Sequence, residues 1–459
     1  MKLSKNDENR VGFGKLTIWQ TSAVSRTINV LIMGSLMLYC TDALKVPAAG
    51  VSLILLLSKF ADGITDAVAG FIVDKTKTKW GTGRPYEVFI VGLWLCTWLL
   101  FSVPESFSTT VKYVWIFAMY VLANAVCTTF LNANSTPYMI RAFKEGQIIK
   151  LTSYGSIYSI VVAIAFNMIF PSMMQKVVNS PAGWSRLVGM FAVPLAAIGL
   201  LRMIFVKERY DVDTAASKSD GLKVKDVVTV LKSNPYIFLL ALSTLVVNIM
   251  TNMGVGAYYF TYIVGNLGLM GVLSAATIIC IPIPFLFPKL IQKMSVIRVV
   301  QLGFALAALS GIINFFAGSN MVLLMLGSVI GGMGTLPSSM LAALIILQCA
   351  DYNEWKGNHR MEGTMGSVNG LAGKVGAALG TGALGIILQL VGYTGDIATM
   401  PQSALIAIRV LYGLVPAVFY AVTGLILMKY RKLDKLMPQI KEENQARRDA
   451  AAETPEQDA

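Results

Sequence analysis

Long apolar segments recur along this 459-residue chain, and short polar stretches separate them. Twelve of these segments are long enough to cross a hydrocarbon layer of roughly 30 Å, which takes about 20 helical residues. The pattern therefore predicts an all-α integral membrane protein with twelve transmembrane helices. We number the segments 1 to 12 and place them near 19–40, 48–74, 86–104, 112–140, 150–172, 184–206, 234–263, 269–290, 297–318, 320–349, 364–392 and 405–429.

The longest polar stretch divides the segments six and six. It predicts two six-helix bundles, 1–206 and 234–429, joined by a cytosolic linker at 207–233. A polar tail at 430–459 is expected to be cytosolic and either disordered or loosely helical. Two such bundles are the plan of the major facilitator fold, in which the solute site lies between the bundles at mid-depth.

Composition supports a membrane protein and explains the net charge of +13. Only 14% of residues are charged, whereas soluble proteins have about 25%. Of the 38 lysines and arginines, most fall in the loops and tails that the two-bundle plan places on one side, as the positive-inside rule requires. We expect a multi-pass protein of the cell membrane with both termini cytosolic, a monomer in the lipid bilayer that binds no nucleic acid.

Motifs of enzymes are absent from the sequence. It has no Walker A loop, no GxSxG and no HExxH. Its five cysteines show no CxxC spacing, and its one histidine, His359, falls in a predicted loop. The sequence therefore predicts no enzyme activity and no cofactor.

Three charged residues interrupt the apolar pattern of segment 2. Lys59, Asp62 and Asp66 are spaced three and then four residues apart, which puts them on one face of a helix. Asp62 lies roughly 18 Å from the predicted cytosolic end, and Lys374 in segment 11 lies roughly 15 Å deep. Such costly charges usually handle an ion, a proton or a substrate. The Lys374 ammonium of one predicted bundle thus lies level with two carboxylates of the other, an arrangement that can bridge the bundle interface.

Two carboxylates one turn apart can bind a monovalent cation. Thr65 and Asn132 offer neutral oxygens beside Asp62 and Asp66, so Na⁺, Li⁺ or H⁺ is the expected coupling cation, with both aspartates as ligands if it is Na⁺. The alternative is a structural ion-pair network that binds no ion. Mutual repulsion makes two ionised carboxylates costly in such a network, which favours cation binding.

Polar side chains elsewhere in the segments predict a polar central cavity. Arg26, roughly 10 Å deep in segment 1, could contact the solute, pair with the segment 2 acids or extend to the cytosolic surface. Asparagines and the tyrosines Tyr258, Tyr259 and Tyr262 could match sugar hydroxyls or bond neighbouring helices. The crowded glycines of segment 11 indicate close helix packing or flexing during transport.

Four stretches resemble the glycoside–pentoside–hexuronide:cation symporters. They are KFADGITDAVAGFIVDKTKTKWGTGRP at 59–85, TPY at 136–138, AYYFTYIVG at 257–265 and DYNEWKGNHRMEG at 351–363. The resemblance implies symport of a sugar-like solute with H⁺, Na⁺ or Li⁺ by alternating access. It implies that Asp62 and Asp66 carry the cation with Thr65 and Asn132 nearby, and that Lys59 and Lys374 couple it to the solute.

The solute site departs from the pattern of the family's melibiose carriers. Arg26 and Ser135 stand where aspartates bind galactoside hydroxyls in that pattern. A basic residue without those acids favours an anionic solute such as a hexuronide or glucuronide. The residues expected at the solute are Arg26, Asn29, Ser135, Tyr138 and Lys374. Two alternatives remain open, a lysolipid-type carrier of the same fold and a solute sensor that does not transport.

Overall fold

The computed structural model describes residues 12–76, 78–209, 234–357, 361–396 and 398–453. For some further helical residues, Asp66 among them, only the backbone is described. Within these ranges the chain is helical and forms no strand, apart from one isolated β-bridge between Thr78 and Gly81. Helices therefore provide the scaffold for every described candidate residue.

Among segments 1 to 6, the helices of segments 1 and 4 are interrupted. Segment 1 continues past its long helix into a π-helical turn at Tyr39–Ala43, and a second π-helical turn, Leu122–Thr128, joins the two helices of segment 4. The helices of these six segments are Phe13–Met33, Ala48–Lys75, Phe89–Leu100, Thr109–Val121 with Thr129–Ala142, Glu145–Gln175 and Pro181–Phe205.

Segments 7 to 12 contain more breaks. Segment 8 is divided by 3-10 turns around Pro282 and Pro284, because proline lacks the N–H that an α-helix needs. The helices are Pro235–Asn252 with Val255–Tyr262, Met270–Ala276 with Phe287–Lys293, Val296–Ala317, Met321–Met340 with Ala342–Trp355, Glu362–Leu390, and Gln402–Tyr412 with Leu414–Ile426.

Nine helical stretches among the described residues are long and apolar enough to span a membrane. Two shorter apolar helices also occur. Ala48–Lys59 ends at the first charged residue of segment 2, and Leu267–Cys280 lies in segment 8. Segment 3 forms a helix of 12 residues. Each predicted segment thus contains helix, and the protein is a multi-pass membrane protein.

The chain forms two compact units, and the boundaries between them fall inside segments 7, 8, 11 and 12. One unit comprises 1–217, 256–275 and 381–407, and the other comprises 218–255, 276–380 and 408–459. We call these the first and second unit. The division into bundles at 1–206 and 234–429 remains a prediction, and most of the proposed linker, 210–233, lies outside the described residues.

The tail after segment 12 takes the helical alternative of the two expected from its sequence. It forms a helix from Arg431 to Glu453, which we call the tail helix. Trp355 at the end of segment 10 donates from Nε1 to Oε2 of Glu443 at 2.7 Å, and Asn444 donates to the Asp351 carbonyl at 2.9 Å. These bonds attach the tail helix to segment 10 within the second unit.

Candidate cation and solute site

The charged face of segment 2 is present in the structure. Lys59 and Asp62 lie one helical turn apart, with 3.4 Å between Nζ and Oδ2, and their side chains are 28% and 18% exposed. The Lys59 ammonium also lies 5.8 Å from the centre of the Tyr120 ring. Asp66 follows on the same helix, but its side chain lies outside the described part of the structure. Asp62, the acid of this face whose side chain is described, therefore forms a half-buried ion pair with Lys59.

Thr65 presents an oxygen beside this ion pair. Its hydroxyl donates to the Ala61 carbonyl at 3.0 Å and lies 3.2 Å from the Asp62 carbonyl. Because the single hydroxyl proton is used by the backbone, the lone pairs of the oxygen remain free to accept. Thr65 thus has the chemistry of a neutral cation ligand one turn from Asp62.

Segment 4 packs against segment 2, and it contains Asn132 and Ser135. The Asn132 side-chain oxygen accepts a hydrogen bond from Nη1 of Arg26 at 2.9 Å. Arg26 therefore has a partner that the sequence did not suggest, and its buried Nε has no hydrogen-bond partner among the described residues. Ser135 lies one turn beyond Asn132 and is half-buried. Segments 1 and 4 thus bring Arg26, Asn132 and Ser135 to one region of the first unit.

Asn29 and Tyr138, also expected at the solute, are buried and hydrogen-bonded within the first unit. Asn29 is buried and donates to the Thr97 hydroxyl at 2.8 Å. Tyr138 is fully buried, donates to the Val206 carbonyl at 2.6 Å and packs against the Trp19 ring. Both side chains fill helix–helix interfaces, and their place at the solute stays a prediction.

Lys374 lies in segment 11, in the second unit, with an exposed side chain. One turn before it on the same helix, Asn369 accepts a hydrogen bond from Thr244 at 2.7 Å. A cavity of about 170 Å³ is lined by Asn369 and Thr244 and also by Asn248 and Ser339. The second unit thus contains a small cavity with amide and hydroxyl groups in its wall.

Tyr258, Tyr259 and Tyr262, which could match sugar hydroxyls or bond neighbouring helices, are buried. Tyr262 donates to Oδ2 of Asp42 at 2.6 Å, Tyr393 donates to Oδ1 of the same carboxyl, and Tyr258 shares a hydrogen bond of 2.9 Å with Thr41. We call these five residues the Asp42 network, and all of them belong to the first unit. Sequence reasoning missed Asp42 because it lies at the end of an apolar segment; the tyrosine-rich stretch at 257–265 was the available signal.

A second buried charge pair was also missed. Glu87 and Arg202 lie 3.5 Å apart, between Oε1 and Nη2, with side chains only 1% and 2% exposed. The Arg202 guanidinium stacks 3.6 Å from the centre of the Trp19 ring, and Asn134 donates to Glu87 at 3.2 Å. Both charges lie near segment ends, where the sequence alone suggests solvent contact.

Comparison with known proteins agrees with this architecture. A family model described as MFS/sugar transport protein matches residues 12–435. The isoprimeverose transporter of Lactiplantibacillus pentosus is 25% identical over 423 residues, which cover 89% of this chain and 86% of that protein. The glucuronide carrier protein homolog of Escherichia coli (strain K12) is 27% identical over 431 residues, 89% of this chain and 90% of that protein.

A solved structure shows the same fold at low sequence identity. The bacterial homolog of the human lysosomal transporter Spinster, crystallised in an inward-facing and unoccupied conformation, superposes with a TM-score of 0.63 at 12% identity. The match covers 97% of this chain and 99% of that one. The family match confirms the resemblance read from the four sequence stretches. The chain belongs to the MFS/sugar transport protein family, and it is a membrane transporter of the major facilitator fold and not an enzyme.

Proposed function

We propose that this protein is a symporter of the cell membrane that carries an anionic sugar, a hexuronide or glucuronide, together with Na⁺ or H⁺ by alternating access. The observation that carries the proposal is the position of Arg26, with a buried and unbonded Nε, beside Asn132. Asn132 in turn belongs to a helix that packs against the helix of segment 2. An anion-binding group and cation-binding groups thus belong to neighbouring helices of one unit.

The cation is assigned to segment 2. Asp62 and Asp66 carry two negative charges and Lys59 carries one positive charge, so one bound monovalent cation brings the group to neutrality. Thr65 adds a neutral oxygen whose proton is already used by the backbone. Na⁺, Li⁺ and H⁺ all satisfy this charge balance.

The solute is assigned to Arg26 and Ser135 of the first unit. A guanidinium binds a carboxylate through paired, charge-assisted hydrogen bonds, which suits the carboxylate of a hexuronide. Ser135 adds a hydroxyl one turn from Asn132. The role of Lys374, which belongs to the second unit, stays the prediction made from the sequence. The name of the related glucuronide carrier homolog supports an anionic sugar, and the family match favours a sugar over a lysolipid or a sensor role.

The bond between Arg26 and Asn132 supplies a route for coupling. When a solute carboxylate draws the guanidinium away, the Asn132 oxygen is released and becomes a neutral ligand for the cation. Each bound partner then strengthens binding of the other, which is the reciprocal coupling that binding equilibria require. Asn132 therefore links the solute to the cation.

The test compares two sugars that differ only at C6, methyl glucuronide and methyl glucoside, in membrane vesicles under an imposed Na⁺ or H⁺ gradient. The wild type should accumulate the glucuronide in preference to the glucoside. Arg26→Gln should reduce that preference about tenfold or more, because a charge-assisted hydrogen bond is worth about 1.5–3 kcal/mol.

Arg186→Gln is the matched control, since Arg186 is an exposed arginine of segment 6. It should transport as the wild type does. A wild type that prefers the neutral glucoside, or an Arg26→Gln protein that keeps the glucuronide preference, would contradict the assignment.

A further inference from the structure

A basic cavity lies where segments 8 and 9 meet the tail helix. Its volume is about 390 Å³, and its wall contains four cationic side chains, Lys293, Arg298, Arg431 and Lys435. Asp434 is the one acidic residue in the wall. The cavity therefore has a net charge of about three positive units and suits an anion.

An apolar groove of about 750 Å³ continues from this cavity between segments 9 and 12. Lys293, Arg298 and Arg431 line both spaces. Away from them the groove wall is aliphatic and exposed, with Leu302, Leu309, Ile312, Leu425 and Met428. Exposed aliphatic side chains on a transmembrane helix face lipid, so the groove opens toward the acyl chains of the bilayer.

Arg431 is held at the junction of the two spaces. Its Nε donates to Oε1 of Gln301 at 2.8 Å, and Gln301 donates to the Gly424 carbonyl at 3.3 Å. Gln301 and Gly424 themselves line the groove. The guanidinium is thus positioned by two transmembrane segments before any ligand binds.

We propose that the cavity and groove together form a binding site for one phospholipid with an anionic headgroup. The phosphate lies among the four cationic side chains, and an acyl chain lies along the aliphatic groove. A basic pocket between transmembrane helices on the cytosolic side is a recurrent means of binding anionic lipid. A soluble anion would use the cavity but leave the apolar groove empty, and a neutral headgroup would leave the charges uncompensated.

The test measures lipid binding to the detergent-purified protein by native mass spectrometry, with phosphatidylglycerol and phosphatidylcholine of the same acyl chains. The wild type should retain phosphatidylglycerol in preference to phosphatidylcholine. Lys293→Gln with Lys435→Gln should lower the phosphatidylglycerol-bound fraction about fivefold. Both lysines are exposed, so the fold should be retained.

The control pair is Lys432→Gln with Lys441→Gln, two exposed lysines of the tail helix outside the cavity wall. This pair should bind as the wild type does. Equal loss in both pairs, or no loss in the cavity pair, would overturn the proposal, because either result means that binding does not depend on the cavity.

A third variant separates a lipid from a free anion. Ala305→Trp fills the groove without changing charge, since Ala305 is an exposed groove residue, and it should also reduce phosphatidylglycerol binding. Millimolar inorganic phosphate should not displace the lipid. Full binding by Ala305→Trp, or displacement by phosphate, would show an anion site without an acyl-chain groove and would overturn the proposal.

Discussion

Charged side chains inside the described part of this protein are held by specific neighbours. Lys59 pairs with Asp62 one turn away, and Arg26 is held by the Asn132 amide on another segment. Arg202 is held by Glu87 and by the face of an aromatic ring. An ionised group in a low-dielectric interior is costly unless it is paired and hydrogen-bonded, so each pairing has a testable energy.

The buried pair of Glu87 and Arg202 should stabilise the first unit. Glu87→Gln keeps the shape of the side chain but leaves Arg202 buried without its counter-charge, which costs about 3–5 kcal/mol. The apparent Tm of the purified protein in detergent should therefore fall by several degrees. Glu105→Gln, at an exposed carboxylate, should leave the Tm unchanged. Equal Tm values for the two variants would show that the pair contributes no stability.

The sequence predicted some of these residues and not others, for a physical reason. The charged face of segment 2 was predictable because helical spacing alone puts residues three and four apart on one face. The burial of Asn29 and Tyr138 was not, because the face that a helix turns to its neighbours depends on tertiary packing. Asp42 and Glu87 were missed because charges at segment ends usually reach water, whereas here they bond to tyrosines and to an arginine.

Small residues decide how closely two helices of the second unit pack. The glycines of segment 11 illustrate this: a Cβ added at Gly376 or Gly380 would lie 2.3 Å from a carbonyl oxygen of segment 7, at Leu245 or Ile249. These two positions support close packing of backbones, as small residues allow in membrane helices. A Cβ at Gly370 would meet nothing within 4 Å, so the crowded glycines do not share one role.

The π-helical turn at the end of segment 1 contains Asp42, whose carboxylate accepts hydrogen bonds from Tyr262 and Tyr393. We expect these hydrogen bonds to hold the turn closed. Asp42→Ala removes both oxygens that accept from Tyr262 and Tyr393. Two hydrogen bonds are worth about 1–3 kcal/mol in total, so local opening should become about tenfold more frequent. Cys40, fully buried two residues earlier, should then react about tenfold faster with a membrane-permeant maleimide.

The readout is the alkylation rate of the Cys40 peptide by mass spectrometry. Asp396→Asn, at an exposed carboxylate of the same unit, is the control and should leave the rate unchanged. The double variant Tyr262→Phe with Tyr393→Phe should reproduce the effect while keeping Asp42. Wild-type rates in both Asp42→Ala and the double tyrosine variant would show that the network does not restrain this turn.

Across the whole chain, the apolar segments and the distribution of basic residues among the loops were enough to predict a multi-pass helical membrane protein. Both features are local in sequence, and the family match over residues 12–435 agrees with them. The boundaries of the compact units were not predictable, since they cut through segments 7, 8, 11 and 12. Which half of a helix packs with which neighbours is a property of the folded chain and leaves no mark in hydropathy.

The central claim is that the acids of segment 2 couple solute movement to a cation gradient. The Asp62→Asn variant in membrane vesicles tests it most directly. Two rates are measured with methyl glucuronide, its accumulation under an imposed cation gradient and its exchange across the membrane without a gradient. Accumulation should fall to simple equilibration, because the site loses a charge that the cation neutralises, while exchange continues. Asp396→Asn should accumulate as the wild type does. Accumulation by Asp62→Asn at the wild-type level would contradict the account.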